Sequence, residues 1–342
     1  MNTSKTMNIS TLTKASIAAT MLFGATACTS TVTGEEGNLK FSYYSTDSTR
    51  DFNKPIAIGA KLDIQVEDAG SNENDDVVVN SVESSDDAVI AASKAGGDVI
   101  TLEAKAEGSA DITVDAAVSR TGTNESDYIT MRTTTPEKIA LTHLCNTGES
   151  TGYYLVGQKE VYLGYDMKLS DGQEVIGYGY YPVTADPTDG IIVDTSSKTH
   201  DFVRIETGAT AGQINLTSDV SEDAWTINLV EESAIDGAVL QGQETVSVGK
   251  SNTFRIHPTV QGSPICQPDA AFTIEVTTPD LCDIAELDAD SLAIIEGSTR
   301  QKGWLKAEGK AVGDCTFNIT YTNAMDGAGV TKELSIPVQN AS

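Results

Sequence analysis

The sequence predicts an all-β protein made of three tandem sandwiches, and three observations predict it. The first is a repeated pattern. In LEAKAEGSADITV, Leu102, Ala104 and Ala106 alternate on one side of Gly108, and Ala110, Ile112 and Val114 alternate on the other. It returns around Gly212 (GQINLT) and Gly313 (GDCTFNITY). Period-2 alternation broken by a glycine predicts two half-buried strands joined by a tight turn. The second is composition, rich in Thr, Ser, Val, Ile, Asp and Gly, which suits strands separated by polar turns. The third is that no long segment carries capped helical periodicity, so almost no helix is expected beyond the leader.

The chain opens MNTSKTMNISTLTK, with Lys5 and Lys14 and no acid, and then runs apolar from Ala15 to Ala27. A cationic start and a short apolar run have the layout of an export signal, and the run is too short to span a bilayer. Ala25-Thr26-Ala27 is a small-residue cleavage site for plain secretion. Followed by Cys28, the same residues resemble the lipobox of bacterial lipoproteins, with Ala25 where that motif usually has Leu. The resemblance implies a signal peptide over 1–27 and lipidation of Cys28, which would anchor the protein to a membrane. Thr29 rather than Asp after the cysteine resembles the outer-membrane sorting pattern of enterobacterial lipoproteins. Residues 28–37 carry no strand pattern and are expected to be a flexible tether.

Three segments follow. In the first, 38–134, Pro55–Val66 alternates after Gly59, Ser71–Asp76 is an acidic turn, Val77–Val82 is a strand, and Ser84–Ser93 is a turn and then an apolar strand. With the Gly108 stretch and the closing YITMRTTTP this makes about seven short strands in about 100 residues, the count of an immunoglobulin-like sandwich. The combination of Gly59, SSDDAVI and AEGSADITV resembles a bacterial immunoglobulin-like domain of the group 2 type, known from surface adhesins. In the second segment, 135–233, LVGQKEVYLGY repeats the first glycine motif at Gly157 and GQINLT repeats the second. In the third, 234–342, VSVGKSNTFRI repeats it at Gly249, and TTPDLCDI is aligned with SSDDAVIA. Corresponding glycines lie roughly 90 to 100 residues apart, one sandwich each.

Besides Cys28 there are Cys145, Cys266, Cys282 and Cys315, an even number in an exported chain and so two expected disulfides. Aligning the segments sets Cys282 at the place of Val89 and Cys315 at that of Ala110, both core-facing, which favours Cys282–Cys315. Cys145 then pairs with Cys266 by elimination, with Cys266–Cys282 as the alternative. Seven of the eleven tyrosines fall in the second segment. In VIGYGYYPV, Tyr178 and Tyr180 would share a strand face opposite Gly177 and Gly179, which makes them either core and edge packing or a flat platform for a sugar or peptide.

His143, His200 and His257 have no zinc-ligand spacing, and no nucleophile elbow, phosphate loop or dinucleotide fingerprint is present. No metal site, cofactor or catalytic residue is nominated. Ca²⁺ is a lesser possibility on SNENDD (Ser71–Asp76), ADPTDG (Ala185–Gly190) and ELDADS (Glu286–Ser291), none with EF-hand spacing. With 22 Lys and Arg against 50 Asp and Glu, a formal charge of −28, the chain is no nucleic-acid binder. The expectation is a non-catalytic cell-envelope protein, held by lipid on Cys28 at the outer membrane or else secreted. It would act as a spacer, adhesion or protein-binding module, with a carbohydrate-binding accessory using Tyr178 and Tyr180 as the alternative.

Overall fold

The computed structural model describes residues 31–44, 52–70, 77–145, 148–242, 245–266, 270–287, 303–324 and 327–340. The first sandwich contains β1 (Thr31–Thr33), β2 (Leu39–Tyr43), β3 (Ile56–Ala57), β4 (Lys61–Asp68), β5 (Val77–Ser84), β6 (Ile90–Gly96), β7 (Val99–Ala104), β8 (Gly108–Val118) and β9 (Thr123–Thr134). One sheet has the order β1-β2-β4-β7-β6 and the other β3-β9-β8-β5. The second contains β10 (Lys138–His143), β11 (Thr151–Leu155), β12 (Val161–Lys168), β13 (Glu174–Val175), β14 (Val183–Asp186), β15 (Ile191–Val193), β16 (Phe202–Thr207), β17 (Gly212–Ser218) and β18 (Ala224–Val230). Its sheets are β10-β12-β16-β15 and β11-β18-β17-β14. After a single 3₁₀ turn at Glu232–Ala234 the third follows, with β19 (Gly237–Gly242), β20 (Val246–Ser247), β21 (Ser251–Val260), β22 (Ser263–Pro264), β23 (Phe272–Val276), β24 (Cys282–Glu286), β25 (Trp304–Gly309), β26 (Gly313–Tyr321) and β27 (Val330–Gln339). Its sheets are β19-β21-β25-β24 and β20-β27-β26-β23.

Once the extra edge strand β1 of the first sandwich is set aside, the three orders are one order, with β2, β10 and β19 as corresponding first strands. In each sandwich the first strand is split. Its leading part joins one sheet, and its trailing part (β3, β11 or β20) pairs in parallel with the last strand of the other. This is the immunoglobulin-like arrangement of two antiparallel sheets with a switched first strand. Alternation does the packing: Ala110, Ile112, Val114, Ala116 and Val118 of β8 are buried while the residues between them face outward.

Both repeated glycines are structural. Gly59, Gly157 and Gly249 take left-handed φ of +90°, +70° and +73°. Each donates its N–H, at 2.8 Å, to the carbonyl of Ala104, Gly208 or Gly309. The Gly108 stretch is not the tight hairpin the pattern suggests. β7 belongs to one sheet and β8 to the other, and the same holds for β16 and β17 and for β25 and β26. The stretch is a corner that carries the chain across the sandwich. Two strands that face one core from opposite sheets alternate just as two hairpin strands do, so periodicity cannot separate the cases. Gly108 has φ +151°, and a Cβ there would lie 3.2 Å from Val89; Gly313 has φ +149°, and its Cβ would lie 3.0 Å from Leu281.

Residues 28–30 lie outside the described residues, and the tether expected over 28–37 is corrected over its described part, 31–37, since Thr31–Thr33 is a strand. It pairs antiparallel with β2, Thr31 opposite Ser42 and Thr33 opposite Lys40. A carboxylate 1% exposed explains why: Asp127 accepts the backbone N–H of Glu36 at 2.8 Å, Asn38 at 2.8 Å and Leu39 at 2.9 Å. Its carboxyl fills the space a side chain at Gly34 would need. The turn after β1 is latched to a residue about 90 positions away, which no local pattern announces.

Candidate functional sites at the joints between sandwiches

Apart from Asp68 and Asp127 at the free end of the first sandwich, the most buried charged and histidine side chains gather where one sandwich meets the next. At the first joint the chain after β13 turns into the first sandwich. Ala57 N–H donates to Ile176 O at 2.8 Å, and Lys61 and Tyr178 exchange both backbone hydrogen bonds at 2.9 Å. Gly177 has φ +128° and lies so close to Ala60 that a Cβ would come within 2.5 Å of that residue's own. The stretch VIGYGYYPV is therefore an irregular docking segment. Tyr178 is only 5% exposed, and its hydroxyl donates to Asp63 Oδ1 at 2.9 Å. Asp63 also accepts from Thr101 Oγ1 at 2.6 Å and from Lys198 Nζ at 2.5 Å. Burial alone would raise the Asp63 pKa, but the hydrogen bonds from Lys198, Thr101 and Tyr178 outweigh it and hold the carboxyl below the usual range. The His200 ring meets the Tyr178 ring edge-on, with centroids 5.4 Å apart. Lys54 pairs with Glu174 across the same joint. One continuous apolar core runs through both sandwiches, from Leu39 to Leu229, and takes in Cys266 at the second joint.

This arrangement corrects the aromatic platform. Tyr178 points into the joint, and the partly buried Tyr180 packs against Gly59, where its ring would stand 2.9 Å from a Cβ. The two tyrosines do not present a shared open face, because the left-handed Gly177 and Gly179 break the strand that would have aligned them.

The second joint has different chemistry. Cys145, just after β10, and Cys266, just after β22, bring their Sγ atoms to 1.90 Å, bonding distance. Beside them Cys266 N–H donates to Tyr153 O at 2.7 Å, and Tyr153 and Ile265 form a parallel bridge. The Tyr154 hydroxyl meets His143 Nδ1 at 2.9 Å. His257 sets Nδ1 3.2 Å from Ile265 O and Nε2 2.8 Å from Gln241 Oε1. Burial, then repulsion from Arg255, pushes its pKa down to about 4, against the pull of the Ile265 carbonyl. Burial also lowers His143. Arg255, 6% exposed, lies over the Trp304 ring with Nε and Nη2 unpaired, and burial pulls its pKa down to about 10.

Within the third sandwich Cys282 and Cys315 bring their Sγ atoms to 1.94 Å, bridging its two sheets. The alignment behind this pair shifts by one residue. Lys105 donates to Val89 O as Lys310 does to Leu281 O, so Leu281 matches Val89 and Cys282 takes the core place of Ile90. Cys315 does match Ala110.

Cys28 and the SNENDD turn lie outside the described residues, as do the last four residues of ELDADS. Among the described residues no group of three or more His, Cys, Asp or Glu is placed to hold a metal. None of their helices is long and apolar enough to cross a membrane. Asp63, Asp127 and Arg255 were not singled out by sequence. Asp63 and Arg255 sit on the outward phase of their strands, where an ordinary solvated charge is expected, and the partners of Asp63 at Tyr178 and Lys198 are 115 and 135 residues away.

No family model matches the chain, and none of the curated proteins does. Among solved structures it is similar to domains 4–9 of the surface layer protein SbsC, at 15% identity and TM-score 0.29 over 84% of this chain and 43% of that one. It is also similar to the Escherichia coli adhesin FdeC, at 12% identity and TM-score 0.24, over 84% of this chain and 95% of that one. A third is the Bacteroides ovatus mixed-linkage glucan utilization locus protein SGBP-B, solved with a heptasaccharide, at 11% identity and TM-score 0.26 over 84% and 65%. The chain spans less than half the length of the SbsC fragment.

Proposed function

We propose that this is a non-catalytic, lipid-anchored protein of the bacterial cell envelope, and that it works as a spacer with adhesion or protein-binding surfaces on its loops. The reading comprises a signal peptide over 1–27, lipid on Cys28 and three domains over 38–134, 135–233 and 234–342, the first extended by β1 back to Thr31. The observation that carries it is where the buried polar chemistry is spent. Asp63, Tyr178, Thr101 and Lys198 lock the first joint, and Cys145 and Cys266 close the second. A chain that commits buried charge and cysteine to its joints fixes the bearing of one sandwich on the next, which a spacer requires and an isolated binding module does not. The likeness to surface-layer and adhesin structures extends no further than fold.

Small-angle X-ray scattering of the mature chain tests the spacer. One sharp pair-distance distribution, unchanged between low and high salt, is expected; a broad distribution that shifts with salt overturns fixed joints. Anchoring is tested separately. Cys28→Ser should abolish fatty-acid labelling and release the protein from membranes, and persistent labelling would refute Cys28. A glycan array on the mature chain addresses sugar binding, and an array signal retained by Tyr178→Ala would place the sugar elsewhere than on that tyrosine.

A further inference from the structure

We infer that the first sandwich meets the membrane along its β1 flank and not at its free tip. The inference rests on the lipid-anchor reading of Cys28 and deepens it. Thr31 stands opposite Ser42 of β2, and Ser42 stands opposite Gln65 of β4. From that level β4 continues three residues to Asp68, about 10 Å at the rise of a strand. Beyond Asp68 comes the tip, where Arg120 of the β8–β9 turn pairs with Asp68 and the Gly34–Asn38 turn is latched by Asp127. Traced backwards from Thr33 to Thr31, the chain runs away from this tip, toward the end where Lys61 meets the second sandwich.

Cys28 precedes Thr31 by three residues, which span at most about 10–11 Å when fully extended. Even a chain that doubled back at once would bring the acylated sulfur only level with the end of β4, short of the turns beyond it. Standing the sandwich on its tip would require peeling β1 from β2 and breaking the Asp127 latch. The flank has the chemistry for a lipid surface. On its outward face Thr31, Thr33, Ser42 and Tyr44 are uncharged and Lys40 is cationic, with Glu67 of β4 opposite Lys40, while Val32 turns inward against the core; Tyr44 is 54% exposed, in a chain with 50 acids and 22 bases. An exposed tyrosine suits the headgroup region, and an acid-free strand avoids the repulsion and desolvation the rest of the surface would meet there.

The test uses the lipidated full chain, purified from membranes and reconstituted on phosphatidylcholine vesicles, and a membrane-impermeant amine-reactive reagent read by peptide mass spectrometry. Lys40 should react several-fold more slowly on vesicles than in soluble Cys28→Ser protein. Lys159 of the second sandwich, 81% exposed, serves as the internal reference. A flexible Gly/Ser insert of about 12 residues after Ser30, with a reach of about 19 Å, should restore the Lys40 rate while the protein stays bound. Equal Lys40 rates on vesicles and in solution, with the wild type still bound, would overturn the flank contact alone. Wild type that never associates with the vesicles would instead overturn the anchor reading, and the flank contact with it.

Discussion

Removing one hydroxyl should loosen the first joint measurably. In Tyr178→Phe the ring that fills the joint stays and only the donor to Asp63 is lost. A hydrogen bond to a charged acceptor contributes about 1.5–3 kcal/mol. The lower end applies here, because Asp63 keeps Thr101 and Lys198, and the Lys198 side chain, 63% exposed, lets water reach the site. The expected loss is therefore about 1.5–2 kcal/mol, a factor of about 10 to 30 in the unfolding equilibrium. Guanidinium unfolding of the mature chain, followed by circular dichroism, measures it in the transition of the first two sandwiches. Tyr180→Phe is the control, with a change within about 0.5 kcal/mol. The decisive quantity is the coupling energy of the cycle Tyr178→Phe with Asp63→Asn. A coupling near zero, or a Tyr178→Phe loss no larger than the control's, would refute the joint as described.

Further outcomes follow from the same geometry. His257 is held neutral to about pH 4 when folded but titrates near 6.5 when unfolded, so the unfolded chain binds the extra proton between these values. The third sandwich should thus lose up to about 3 kcal/mol as pH falls from 7 to 4, a slope His257→Gln should flatten; equal slopes in urea titrations would contradict this. Asp63 behaves differently: its folded pKa is depressed, so its contribution is present at neutral pH and fades only below about pH 4, leaving the first joint intact at pH 5. Replacing Cys282 and Cys315 together by Ala opens a 33-residue loop and should cost about 3–4 kcal/mol on the chain-entropy model, read as a lowered melting temperature of the third sandwich. Non-reducing peptide maps should join Cys282 to Cys315 and Cys145 to Cys266, and free thiol at any of the four would contradict the pairing. Gly177→Ala should cost at least about 2 kcal/mol, since its φ is left-handed and Ala60 occupies the space, whereas Gly212→Ala, with nothing within 4 Å, should change little.

What was legible in the sequence was whatever repeats locally. Alternation and recurring glycines reveal three sandwiches, because each strand faces the same core in the same phase. The same alternation misleads at Gly108, where two strands of different sheets look like one hairpin. The cysteines were readable to within a residue because Cys315 falls at a small core position. The joints were not readable. Tyr178 is bound by Asp63, 115 residues away on an outward phase of β4 that resembles an ordinary wet surface. The turn after β1 is held by Asp127, about 90 residues away on the inward phase of β9, where an acid among core positions does not reveal which backbone it serves. A tyrosine between glycines carries no sign of whether it opens to solvent or closes on a neighbour.

The Cys145–Cys266 contact has a consequence under tension. With both cysteine pairs closed, a pull between the two ends of the chain does not travel through the body of the second sandwich. It passes from Cys145 straight to Cys266, and again from Cys282 to Cys315. The first shortcut removes 121 residues from the load path, about 400 Å of chain that cannot pay out. The first sandwich has no such bypass and would be the first to lengthen, shielding the two beyond it.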